Sequence, residues 1–304
     1  MKYKDSATAN DQKALLFGSL AVLGFSGTLP ATRLAVRELD PWLVAIVRGL
    51  VAGGLAAPCL WLRREPFPGV RQLLSLGVVA LGTVLGFPLL SALALTRMPA
   101  SDAAMVVAFV PPLTALCGVL RNRERPAPLF WVCNLVGLGA VLAFLRTGSG
   151  SLQAGHALLF FASLVCAIGY SEGARLARAM SGLSVVSWAL LVALPVLVPL
   201  LFLSVHAVPR AEHASAWFGL AYVSVVSMFL AFVPWYAALG RGGVARMSQL
   251  QLLQPLLSVC WSGWLLDERL RPQLWVTLAV VLGSIALGRR LTQPRAAAVP
   301  AEAR

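Results

Sequence analysis

"LLDERLRPQLW" (residues 265–275) places Asp267, Glu268, Arg269 and Arg271 between two stretches that are otherwise apolar. "VLRNRERPAPLFW" (residues 119–131) interrupts the chain in the same way. Two matching charged breaks point to a duplication. A shift of 144 residues lays Pro111 on Pro255, Glu124 on Glu268, Trp131 on Trp275 and Gly139 on Gly283. The same shift lays Arg97 on Arg241, and "ALALTR" (92–97) on "YAALGR" (236–241). A shift of 142 lays "TRLA" (32–35) on "ARLA" (174–177). The chain divides on this basis into residues 1–150 and 151–304.

Each half is too apolar to be water-soluble. Of the 304 residues, 59% are hydrophobic and 12% charged, against about 25% charged in a soluble domain. The apolar residues come in blocks of membrane-crossing length, roughly 20 residues. Ten such blocks stand at 14–34, 42–62, 70–94, 99–120, 127–146, 154–177, 183–205, 215–238, 243–266 and 272–288. The expected fold is therefore an all-α membrane protein of ten transmembrane helices, five per repeat. Lys2, Lys4 and Lys13 ahead of the first block imitate a secretory signal. Nine further blocks and Arg33 at the place of a cleavage site make that block the first permanent helix.

Five is an odd number, so the second repeat must lie upside down relative to the first. The two charged breaks then face opposite sides of the membrane. With the N-terminus in the cytoplasm, 17 Lys and Arg fall on inner segments and 7 on outer ones, with Arg48 inside a span. Cytoplasmic loops carry the excess of basic residues, so both termini are expected inside. Inverted repeats of this kind hold their substrate near the midplane, between the two copies.

The stretches "FSGTLPATRLAV", "ALALTRMPASDAA…PPLTALCGVLRNRERP" and "QLLQPLLSVCWSGWLLDERLRPQLW" resemble the EamA branch of the drug/metabolite transporter superfamily. In that family each repeat carries a proline-containing helix, a Glu-Arg break and a glycine-bearing helix. Pro111, Glu124, Arg125 and Gly139 match in one copy, and Pro255, Glu268, Arg269 and Gly283 in the other. The resemblance covers about residues 14–290. It implies a ten-helix secondary carrier of the inner membrane, many relatives being exporters of amino acids or related metabolites. One departure is Ser26-Gly27, where the family has Trp-Gly.

Polar groups within spans are costly and mark function. Ser248, Gln251, Pro255, Ser258 and Ser262 form one stripe along the ninth block, and Ala104, Val107, Pro111, Thr114 and Gly118 the equivalent stripe of the fourth. Small residues in such stripes also serve close helix packing. A glutamine needs partners in lipid, so Gln251, with Gln254 and Ser248, is assigned to the substrate cavity. Pro111 and Pro255 are assigned as hinges. The eighth block carries Ser224 and Ser227 and ends at Pro234, Trp235 and Tyr236, where the aromatics either anchor the interface or line the cavity. In "GYSEGARLAR" (169–178), Tyr170 is a candidate contact. Glu172 is either a proton-coupling carboxylate or half of a local ion pair with Arg175. Arg48 has no acidic residue at helical spacing and is either a partner for an anionic substrate or, as its closeness to "ELDPW" favours, a side chain that snorkels to the outer interface.

Several function classes are disfavoured. The 25 Lys and Arg are scattered beside apolar blocks, unlike a phosphate-binding face, so no nucleic-acid partner is expected. Cys59, Cys117, Cys133, Cys166 and Cys260 show no paired spacing, and His156, His206 and His213 are not spaced as metal ligands. No HExxH, GxSxG or phosphate-loop motif occurs. We expect no cofactor and no metal, and a small-molecule substrate handled by a monomer or homodimer. Export of a small polar metabolite such as an amino acid is the primary expectation. Export of drugs or toxic compounds, a non-transporting sensor and an intramembrane enzyme are the alternatives.

Overall fold

The computed structural model describes residues 2–122, 154–204, 211–247, 250–270 and 272–290, with short helical pieces between 132 and 143. Among the described residues every regular element is helical. Helix α1 (Lys2–Ser26) runs into α2 (Thr28–Val36), and α3 (Pro41–Arg63) follows. Helices α4 (Val70–Val79) and α5 (Phe87–Leu95) are joined by a π-helical stretch, Ala80–Gly86. Next come α6 (Ala100–Val107), α7 (Val110–Asn122), α8 (Ala154–Leu176) and α9 (Gly182–Ser204). A second π-helical stretch, Tyr222–Leu230, joins α10 (Ala214–Ala221) to α11 (Phe232–Gly242). The chain continues with α12 (Val244–Met247), a 3-10 turn (Leu250–Leu252), α13 (Leu253–Leu265) and α14 (Pro272–Arg290).

Seven helical stretches among the described residues are long and apolar enough to cross a membrane: Gln12–Val36, Pro41–Arg63, Val70–Leu95, Ala100–Leu120, Ala154–Leu176, Gly182–Ser204 and Ala214–Gly242. The expected fifth block, the Glu124 break and Ser248 lie largely or wholly outside the described residues. The polarity of the bundle runs opposite to that of a soluble protein. Trp61, Leu74, Leu120, Phe202 and Leu203 are more than two-thirds exposed, whereas Thr32, Ser163, Ser184, Ser187, Ser258 and Ser262 are fully buried. Lipid solvates the first group. Three of the second satisfy their hydroxyls on the preceding turn: Thr32 on the Thr28 carbonyl (2.7 Å), Ser163 on that of Leu159 (2.8 Å) and Ser262 on that of Ser258 (2.8 Å).

Local chemistry fixes the ends. Asp40 caps α3 by accepting the N–H groups of Trp42 (2.9 Å) and Leu43 (3.1 Å), and Pro41 fills the position whose N–H needs no partner. In the packing, α3 lies on α9, α1 and α2 on α11 and α10, and α4 and α5 on α8. Helix α13 packs on α6 and α1. The Ser26-Gly27 site is a packing node. Ser258 Oγ donates to the Ser26 carbonyl (2.7 Å) and Trp261 Nε1 to Ser26 Oγ (3.1 Å). A Cβ on Gly27 would lie 2.6 Å from the Tyr222 hydroxyl, so only glycine admits that ring.

Candidate functional site

Regular helix fails at several places, and they converge. The first stretch breaks at Gly27 between α1 and α2, and the fourth between α6 and α7. The π-helical stretches interrupt the third and seventh, and the 3-10 turn precedes α13. Irregular backbone at membrane depth is tolerated where it lines a cavity, and π-turns recur at functional sites. Here they surround a small, partly open cavity whose interior has room for about one water molecule. Thr28, Thr83, Val107, Val110, Ser227, Gln251 and Gln254 reach it from the breaks, and Arg48, Cys166 and Tyr170 from intact helices. Phe25, Phe87 and Phe232 supply an aromatic wall.

The lining residues fall into pairs. Thr83 and Ser227, Val107 and Gln251, and Val110 and Gln254 each stand 144 residues apart. Thr28 and Tyr170 stand 142 apart, the offset of the TRLA–ARLA match. In three of the pairs the second-half member is the larger polar group, whereas the charged residue, Arg48, comes from the first half. Arg48 has no such partner; position 190, at the 142 offset, is Leu.

Arg48 overturns the snorkelling expectation. It is 2% exposed and donates through Nη2 to Ser227 Oγ (3.3 Å), while its Nε and Nη1 find no acceptor. Ser227 Oγ is shared with Thr28 Oγ1 (2.8 Å). The reason lies in the helix face. Val44, Arg48, Ala52, Ala56 and Leu60 recur at every fourth position and are all buried, so the guanidinium points into the bundle. That spacing of apolar and small residues is the sequence signal that finds it.

Gln251, Gln254 and Tyr170 all line the cavity. Among the described residues the amide oxygens of Gln251 and Gln254 have no donor. The Tyr170 hydroxyl lies within interacting distance of Gln251 and Cys166. Pro255 opens α13 and Pro111 opens α7, so neither offers an N–H to the carbonyl four residues before it, at Gln251 and Val107.

Trp235 and Tyr236 stand behind the wall. Both are fully buried and neither borders the cavity. Trp235 packs on Tyr170 at 5.5 Å between centroids and edge-on to Phe25 at 6.1 Å. Tyr236 fills the notch left by Gly173, where a Cβ would approach its ring to 2.2 Å. Glu172 does not border the cavity either. Arg175 donates to it through Nε (3.1 Å) and through Nη2, which also reaches Ser75 Oγ (2.5 Å). Among the described residues no group of His, Cys, Asp and Glu could hold a metal ion. Thr28, Thr83 and Ser227 were not legible as contacts, because the break and the π geometry decide which way they turn.

A helical membrane bundle whose broken helices meet at a buried polar cavity has the architecture of a solute carrier. The EamA-like transporter family model matches residues 12–146 and again residues 153–288. The chain belongs to the EamA-like transporter family, an EamA-type branch of the drug/metabolite transporters. It is 42% identical over 280 residues to the "Uncharacterized transporter YdeK" of Bacillus subtilis (strain 168), covering 91% of this chain and 96% of that protein. It is 25% identical over 278 residues to the "Uncharacterized inner membrane transporter YedA" of Escherichia coli (strain K12), covering 90% of each. One solved crystal structure shares the fold at a TM-score of 0.67 and 19% identity, covering 91% of this chain and 98% of its own.

Proposed function

We propose that the protein is a ten-helix secondary carrier of the cytoplasmic membrane, built as two inverted five-helix repeats (1–150 and 151–304). It exports a small polar metabolite such as an amino acid by alternating access. The observation that carries this is the set of paired positions lining one cavity where helices of both halves break. The packing agrees with it. Exchanging each stretch for its repeat equivalent turns the α1–α11 contact into the α8–α5 contact and leaves α3–α9 unchanged. The Ala100 end of the fourth stretch lies beside Glu268, and its other end leads to the Glu124 break, which supports placing the two breaks on opposite faces. The basic-residue bias supports cytoplasmic termini, and the inner-membrane relative supports the compartment.

The aromatic wall of Phe25, Phe87 and Phe232 favours a second reading, export of an aromatic drug-like compound. Proteoliposomes of the purified protein test both. Uptake of polar metabolites supports the first, and uptake confined to apolar aromatic compounds the second. A sensor or an enzyme gives no net solute movement in either assay.

A further inference from the structure

Arg48 brings to the cavity a positive charge for which no carboxylate partner stands among the described residues: Glu172 pairs with Arg175, and Glu38 contacts His213. The cavity lining contains no acidic side chain. A guanidinium offers five N–H donors in a planar fork. Here one nitrogen has an acceptor, a serine hydroxyl already shared with Thr28. A cation held this deep in a membrane bundle normally pairs with an anion or lines a substrate path.

We propose that Arg48 is the anion receptor of the cavity and that the transported solute carries a carboxylate, which bridges the guanidinium N–H groups. This rests on the carrier reading above and adds the substrate class. A carboxylate matches the fork in geometry and charge. The two glutamines name the rest of the solute. Gln251 and Gln254 line the same cavity with amide oxygens that have no donor among the described residues, so the same molecule carries an N–H or O–H group besides its carboxylate. Leu190 at the repeat-related position leaves the cavity one receptor, which orients the solute in a single direction.

The test uses small probes and the full chain purified in detergent. Thermal unfolding is followed against rising sodium formate and sodium acetate. Formamide and acetamide serve as neutral isosteres, and sodium chloride serves as the control for ionic strength and for binding of any small anion. Ligand binding to the folded state raises the midpoint along a saturation curve. Formate and acetate should stabilise the wild type beyond chloride, while the amides should not. Arg48→Gln should abolish the difference, and Arg48→Lys should retain a weakened one. Carboxylate curves that coincide with chloride or with the amides overturn the proposal, as does a curve undiminished in Arg48→Gln. If Arg48→Gln does not fold, the wild-type and Arg48→Lys curves decide. Flux separates the two levels. Carboxylate binding without any flux removes the carrier and keeps the receptor. Flux unchanged in Arg48→Gln removes the receptor and keeps the carrier.

Discussion

Glu268 closes the start of α6: its two carboxylate oxygens accept the backbone N–H groups of Ala100 (2.8 Å) and Ser101 (2.9 Å), 168 and 167 residues away in the chain. These N–H groups have no partner within their own helix, and the carboxylate sits at the positive end of the helix dipole. The charged break of one half is thereby tied to a helix of the other. Arg33, which donates to the Leu95 carbonyl, adds a favourable charge nearby.

Replacing Glu268 with alanine should cost about 1–2 kcal/mol, the typical loss when a helix cap is removed. Glu268→Gln should recover part of this, since one oxygen still accepts. Thermal unfolding of the purified variants measures both. Equal stability of all three proteins would remove the tie from any structural role.

Cysteines placed at Glu124 and at Glu268, in a functional background without native cysteines, should react with an impermeant thiol reagent from opposite sides of the membrane. The proposed arrangement of two inverted five-helix repeats requires it. Labelling of both from one side would end the inverted-repeat model.

Gln251→Ala should lower flux by roughly tenfold, the worth of one buried hydrogen bond of about 1.4 kcal/mol, with insertion and abundance near normal. Ser262→Ala should be mild, because that hydroxyl bonds only to the Ser258 carbonyl of its own helix (2.8 Å). If both variants transport like the wild type, the stripe on this stretch is a packing seam.

Glu172→Gln separates coupling from structure. If the carboxylate exchanges protons during transport, the variant loses flux driven by a pH gradient and keeps counterflow exchange. Equal loss of both points to the ion pair with Arg175 as a structural element, and no loss of either excludes Glu172 from the cycle.

Glu38 reports on the opposite face of chemistry, at a loop outside the spans. It accepts the N–H groups of His213 (3.1 Å) and Glu212 (2.8 Å) and contacts His213 Nδ1 (2.8 Å). These contacts, the His213 backbone bond first, hold its carboxyl below the usual range. A folded pKa below the unfolded one, near 4.3 for glutamate, gives stability that is present above that value and lost as pH falls through the folded pKa. The gap in unfolding midpoint between wild type and Glu38→Gln should therefore be constant at neutral pH and close below about pH 4. A gap that persists to lower pH would contradict it.

The helical class was legible because apolar runs of membrane length report burial in lipid directly. Gln251 and Gln254 were legible because an amide in such a run demands partners, and Pro255 beside them marks the break. Arg48 was misjudged for a physical reason. Its distance along the chain from Asp40 suggested the interface, while its register with Val44, Ala52 and Ala56 turned it inward. Trp235 and Tyr236 looked like contacts by position, but Phe232 and Tyr170 occupy the wall in front of them. Which hydroxyls of Thr83 and Ser227 face the cavity depends on π-helical winding, and no residue type encodes that unambiguously.

The donors of Arg48 and the acceptors of Gln251 and Gln254 line one space that a hydrocarbon chain could not satisfy. Polar groups of this kind keep water whenever no solute is present. If the chain works by the alternating access proposed above, each solute that enters displaces water, and each return stroke takes water back. Its turnover should accordingly respond to osmotic pressure, because water activity sets the cost of refilling the site.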